Sequence, residues 1–130
     1  MEINKKLIKF KYEEGDKVKL KKDKYFRSRE RTSKLLDILC SKCNTKILLY
    51  QKDGRGNLHR CYIDRIYDPY IYSELQYNNN IRDKKDLPIL RCFFCNEIIG
   101  YPMIYKKEGR LAYHLIYGKW SSKNSYLKGI

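Results

Sequence analysis

The sequence predicts a small, mainly β protein, with a small α+β fold as the alternative, in which two cysteine knuckles each lead into a β-hairpin behind a basic amino-terminal arm. Three observations predict it. Four of the five cysteines form two CxxC pairs, Cys40/Cys43 and Cys92/Cys95, and an apolar run of strand length follows each pair. The two halves repeat with a period near 52 residues, from Cys40 to Cys92: Ile38-Leu39-Cys40, CSKCN, an apolar strand to Tyr50 and QKDGRG are answered by Ile89-Leu90-Arg91-Cys92, CFFCN, an apolar strand to Tyr105 and KKEGR. A chain of 130 residues and 15.8 kDa that is 42% hydrophobic suits one compact domain with a modest core.

Taken in order, residues 1–34 read as a basic arm. Gly15 is its clear breaker, and Val18 and Leu20 alternate with Lys17, Lys19 and Lys21, the pattern of a short strand. Residues 35–120 form the β domain. Strands are expected near residues 45–52 and 57–66, joined as an antiparallel hairpin by the turn DGRG at 53–56. Residues 67–88 contain two of the three prolines and an Asn triplet, and so predict a connector loop with at most one helical turn. A second hairpin turns at Glu108–Gly109 into a strand in which Leu111, Tyr113, Leu115 and Tyr117 share one face. Residues 121–130 read as a polar tail.

The formal net charge is +14, from 29 Lys and Arg against 15 Asp and Glu. Residues 1–34 hold half of it, with 13 basic and 6 acidic side chains. Such a surplus attracts phosphate polyanions, so nucleic acid, RNA or DNA, is the expected partner, with a protein partner as the alternative. No apolar run approaches the roughly 20 residues of a membrane-spanning helix, and the amino-terminal segment lacks the apolar stretch of a secretory signal. These features predict a cytoplasmic protein with no membrane insertion.

The CxxC pairs carry the most specific chemistry. A thiolate binds Zn²⁺ tetrahedrally, and two residues between cysteines let one tight turn aim both sulfurs at the same point. Asn44 and Asn96 follow the pairs, and asparagine tolerates the left-handed backbone that such a turn needs after its second ligand. Closing the loop of 48 residues between Cys43 and Cys92 costs about 3–4 kcal/mol. Structural zinc contributes on the order of 10–16 kcal/mol, so one shared ion is favoured over two separate pairs. Disulfides are disfavoured by the odd cysteine count, and a thioredoxin-like dithiol would want a βαβ setting that is missing. One structural zinc is the expected cofactor, with iron in a rubredoxin-like Cys₄ site as the alternative.

On these residues the chain resembles the zinc-ribbon superfamily, over about residues 35–118. The resemblance implies Cys40 and Cys43 as ligands from the first knuckle, Cys92 and Cys95 as ligands from the second, and no role for Cys61. The chain departs from the common pattern in having Asn rather than Gly after each pair, no Pro within either pair, and a long spacer. It is also similar to small uncharacterised prokaryotic zinc-ribbon proteins with a YQKDG-type turn after the first knuckle, which implies no particular activity.

Candidate phosphate contacts fall in three places. Arg27, Arg29 and Arg31 occupy alternate positions that would align on one side of an extended arm. Lys52, Arg55, Arg60 and Arg65 surround DGRG, and Lys106, Lys107 and Arg110 occupy the matching place in the second half. Tyr62, Tyr105, Tyr113 and Tyr117 are candidates both for base stacking and for the core. Cys61 reads as a buried free cysteine in a strand. His59 and His114 lack a partner that sequence can identify, and no nucleophile motif, P-loop or dinucleotide fingerprint is present. The expected function is a structural-zinc nucleic-acid-binding module without catalysis, in an RNA, transcription or translation setting. The alternatives are a zinc-stabilised adaptor docking through an aromatic face and, more weakly, an enzyme with a site near residues 67–88.

Overall fold

A computed structural model describes residues 8–130; the first seven residues of the basic arm lie outside the described residues. The chain is mainly β. Its elements are β1 (Lys17–Val18), α1 (Lys24–Ser28), β2 (Ser33–Cys40), β3 (Lys46–Asp53), β4 (Arg60–Tyr62), β5 (Ile66–Asp68), α2 (Tyr70–Ser73), β6 (Leu90–Arg91), β7 (Ile98–Tyr105), β8 (Arg110–Leu115), β9 (Trp120–Asn124) and β10 (Lys128–Gly129). Two four-stranded antiparallel sheets, ordered β5-β3-β2-β9 and β4-β8-β7-β6, form the body, and β1 and β10 pair in parallel beside them. No helix among the described residues is long and apolar enough to cross a membrane.

The internal repeat is written into the backbone. Each knuckle is itself the turn of a hairpin, β2–β3 in the first sheet and β6–β7 in the second. Ile38 pairs with Leu48 and Leu39 with Lys46 across an irregular register, and 52 residues later Leu90 pairs with Gly100 and Arg91 with Ile98 across the same irregularity. A β-bulge inserts an extra residue and bends its strand, and here one lies at the root of each knuckle.

The expected DGRG hairpin does not form. β3 has β2 on one edge, and its other edge is met at Leu49 and Tyr50 by β5, which arrives only after the chain has passed through the second sheet. Gly54 and Gly56, with φ of 76° and 98°, instead carry the chain across to the second sheet, where β4 pairs with β8. Gly54 also packs closely, since a Cβ there would stand 3.1 Å from Arg29 Cβ. The single strand expected over 57–66 is likewise divided. Its first part joins the second sheet as β4, a 3-10 turn at Ile63–Arg65 intervenes, and β5 pairs with β3 in the first sheet. The KKEGR turn does close a hairpin, β7–β8, in which Tyr105 pairs with Arg110.

The main core lies between the sheets and contains Ile38, Ile47, Tyr50, Cys61, Ile66, Leu90, Ile99 and Tyr113. Strand β3 is buried from Ile47 to Lys52, so both of its faces are covered. The second cover is a small cluster of Val18, Leu35 and Leu49, with Tyr12, Leu20, Tyr67 and Leu127 packed around it. The arm and the carboxy-terminal residues therefore have a structural place on the outside of the first sheet. The expected polar tail supplies β9, which pairs with β2 along Leu36–Cys40, and β10, which pairs with β1. A polar sequence can still pair because the ladder uses backbone groups alone. The connector at 67–88 holds one short helix and two 3-10 turns, and it buries Tyr72 and Leu87.

A buried ion network fastens α1 to both sheets. Arg65 is 1% exposed; its Nε donates to Asp53 at 2.8 Å, and its two terminal nitrogens donate to Asp23 at 3.0 and 2.6 Å. Arg110, 5% exposed, donates to Asp64 at 2.6 and 3.2 Å and to Glu108 at 3.2 Å. Its guanidinium carbon lies 4.0 Å from the ring centre of Tyr25 and 3.6 Å from that of Tyr62. Asp23 also caps α1, accepting from the N–H groups of Tyr25 and Phe26. Nearby, the buried Asp37 carboxylate lies 3.1 Å from Lys46 Nζ, a Coulombic contact without hydrogen-bond alignment.

Replacing Arg65 by Met should destabilise the fold by about 3–5 kcal/mol in a denaturant titration, because it strands the buried Asp53 carboxylate. The network is also acid-sensitive. The hydrogen bond from Arg65 holds the Asp23 carboxyl far below the usual carboxylate range. Its stabilisation is therefore complete above the unfolded pKa of about 3.9 and is lost as pH falls through the lowered folded value. Asp23→Asn keeps the helix cap, and should lower the melting temperature at neutral pH while flattening its fall below about pH 4.

Candidate metal centre and cationic sheet face

The two knuckles are built alike. Asn44 N–H donates to Cys40 O at 2.8 Å and Cys40 N–H to Thr45 O at 2.9 Å; Asn96 N–H donates to Cys92 O at 2.8 Å and Cys92 N–H to Glu97 O at 2.9 Å. Asn44 and Asn96 take φ of 64° and 66°, the left-handed turn expected after the second cysteine of each pair. These turns aim four sulfurs at one point. Cys40 and Cys95 Sγ stand 3.6 Å apart, Cys43 and Cys92 Sγ 3.5 Å apart, and all four ligand atoms lie within 4.8 Å of one another.

Metal–sulfur bonds of about 2.3 Å in a tetrahedron place the sulfurs about 3.8 Å apart. The cluster therefore has the size and donor set of a Cys₄ metal site. Cys40 and Cys92 are buried and Cys43 and Cys95 half-buried, which leaves the centre at the rim of the core. The Thr45 hydroxyl, 3.1 Å from Cys43 Sγ, holds that thiol down to about 6, whereas burial pushes Cys92 up to about 12. Lys119 and Lys42 flank the site and pair with Glu97 at 2.9 and 3.6 Å. Cys61 lies apart in β4, paired with Tyr113 and fully buried, and burial pushes its thiol strongly upward.

The candidate phosphate contacts divide into those spent on the fold and those left at the surface. Arg65 and Arg110 are enclosed in the ion network, so their charges are already neutralised. Arg29 is bound to Glu108 at 3.1 Å. The extended alignment of Arg27, Arg29 and Arg31 is not adopted: Arg27 lies in α1, Arg29 caps it and Arg31 takes a φ of 55°. Arg27, Arg31, Lys106 and Lys107 are exposed and make no ion pair among the described residues. Arg55 pairs with Glu30 at 3.1 Å, with both side chains largely in solvent.

Around Arg60 the free charge meets aromatic rings. Its guanidinium carbon lies 4.4 Å from the centre of Tyr105, and it makes no ion pair among the described residues. Arg60 pairs with His114 across β4–β8, and His114 pairs with Tyr101 across β8–β7, so these three side chains share the outer face of the second sheet. His114 and Tyr101 are exposed. Sequence reasoning missed this row because strand pairing, not spacing along the chain, creates it. A cleft of about 300 Å³ opens beside it, lined by Arg29, Lys52, Arg55, His59, Arg60 and Tyr105 among others. Of the other tyrosines considered, Tyr62 and Tyr113 are buried and Tyr117 is 99% exposed. Neither histidine pairs with a carboxylate among the described residues.

If the four cysteines hold a structural ion, the purified protein should contain one metal per chain. Chelation, or Cys95→Ser, should lower stability by about 3 kcal/mol or more, roughly 10 °C or more in melting temperature. Cys61→Ala should leave the metal content unchanged. Comparison with protein-family models, with curated proteins and with solved structures finds no match to this chain.

Proposed function

We propose that this protein is a structural-zinc module that binds nucleic acid, and that it acts by binding rather than by catalysis. Zinc suits four thiolates at tetrahedral spacing, closes the shell with protein ligands and serves as scaffold rather than catalyst. The observation that carries the nucleic-acid reading is Arg60. It is a cation left without a carboxylate, stacked on Tyr105, and continuous with His114 and Tyr101 on one sheet face. The fold neutralises Arg29, Arg65 and Arg110 with acids, whereas half-buried Arg60 and Arg91 make no ion pair among the described residues, and of these two Arg60 is the one stacked on a ring. Sheet faces that join cations to aromatic rings suit nucleic acid, the cation meeting phosphate and the ring meeting a base.

Binding to a panel of RNA and DNA, measured across a salt series with the metal-loaded protein, tests this reading. The affinity should fall steeply with salt as phosphate contacts release counterions. Arg60→Glu should weaken it by about tenfold or more at fixed salt, with metal content unchanged. Arg110→Glu should instead unfold the protein, because it inverts a charge inside the ion network. No binding to any member of the panel at low salt would overturn the reading and leave a protein-docking module in its place.

A further inference from the structure

Lys52 is a buried cation that makes no ion pair among the described residues. It is 7% exposed and sits directly opposite Lys34 in the β2–β3 pair. Like charges so placed repel. Its ammonium, which carries three donors, donates to Gly54 O at 2.9 Å, and among the described residues neither Lys52 nor Lys34 makes an ion pair. The neighbouring Asp53 carboxylate is taken up by Arg65, Ser33 and Gln51. Burial and then the Lys34 charge lower the Lys52 pKa, so the fold holds this charge at a cost.

An anion would relieve that cost, and the surroundings have room for one. Lys52 stands on the wall shared by two hollows. One is the 300 Å³ cleft with Tyr105, Tyr62, Arg60 and Asp53, whose carboxylate is held by Arg65; the other, about 390 Å³, is lined by Lys34, Ser122, Asn124 and Gly56 among others and has no carboxylate on its walls. Gly56 has nothing within 4 Å of where a Cβ would stand, which leaves bare backbone open to an approaching group. The cleft is at the small end of ligand-site volumes. A base paired inside a duplex cannot enter it, whereas an unpaired base can be splayed out against a ring.

We propose that one nucleotide of a single-stranded nucleic acid seats here, its base in the cleft against Tyr105 and Arg60 and its phosphate over Lys52 and Lys34. This rests on the nucleic-acid reading above and assigns the strandedness of its ligand. Tyr101 and His114, continuing the same face, offer a surface to the adjoining nucleotide.

The test compares a short mixed-sequence single strand, as RNA and as DNA, with the matching duplexes and with a free nucleoside monophosphate, all on the metal-loaded protein. The single strand should bind about tenfold tighter than its duplex. Lys52→Met should weaken single-strand binding and lower the salt slope by about one unit, while leaving the melting temperature equal or higher because a like-charge contact is removed. A Lys52 that served only the fold would lower the melting temperature and leave the slope alone. Lys34→Met, at an exposed position, should weaken single-strand binding in the same way without touching the core. Equal or tighter duplex binding, unchanged single-strand binding in both variants, or a free nucleotide binding as well as the strand would overturn the inference. Binding that favours duplex and still depends on salt would overturn it while leaving the nucleic-acid reading standing.

Discussion

The convergence of four cysteine sulfurs from two different sheets is the constraint around which the rest of the chain is arranged. Each knuckle is the turn of a hairpin, so bringing the sulfurs within 4.8 Å also brings the ends of β2–β3 and β6–β7 together. The sheets then meet along Ile38, Ile47, Leu90 and Ile99. Four ionised thiolates at this distance would repel strongly, and a bound cation would convert that repulsion into a fastening. Carried by two short turns, the fastening leaves the strands beyond free to diverge in partner and length.

They do diverge, and the asymmetry leaves one sheet face open. In the first sheet β9 and β5 occupy the two edges, while in the second β8 and β4 extend past β7 and β6 ends the sheet. The outside of the first sheet is covered by the arm and the β1–β10 pair. On the second sheet α1 comes down over Arg110 and Tyr62 through Tyr25, and Arg60, His114 and Tyr101 remain beyond it. The same cover that completes one face of the molecule thus defines where the other stays open.

The large positive charge divides in the same way. An arginine taken out of water must find carboxylates, and Arg65 and Arg110 gather Asp23, Asp53, Asp64 and Glu108 around them. Lys34, Lys52 and Arg60 make no such pair among the described residues, so their charges are left to whatever meets the surface.

Local chemistry made the four-cysteine cluster legible. CxxC spacing, the following Asn and the repeat of 52 residues specify two knuckles irrespective of the rest of the fold, because a tight turn depends on residues within five positions of one another. The alternation around Val18 and the apolar runs after each knuckle were readable for the same reason. The route of residues 53–68 was not: DGRG has the composition of a hairpin turn, and it is pairing with β8, about 50 residues further along the chain, that takes Arg60–Tyr62 to the other sheet. The strand in 120–124 was hidden because its pairing uses backbone groups that any sequence carries. Nor could charge alone distinguish Arg65 and Arg110, which hold the fold, from Arg60, which does not. Which cations are buried against acids and which face outward beside a ring depends on groups far apart in the chain. The sequence by itself determined the two cysteine knuckles and the β character, through contacts spanning a few residues; tertiary structure decided the open face, because long-range pairing sets which charges the interior neutralises.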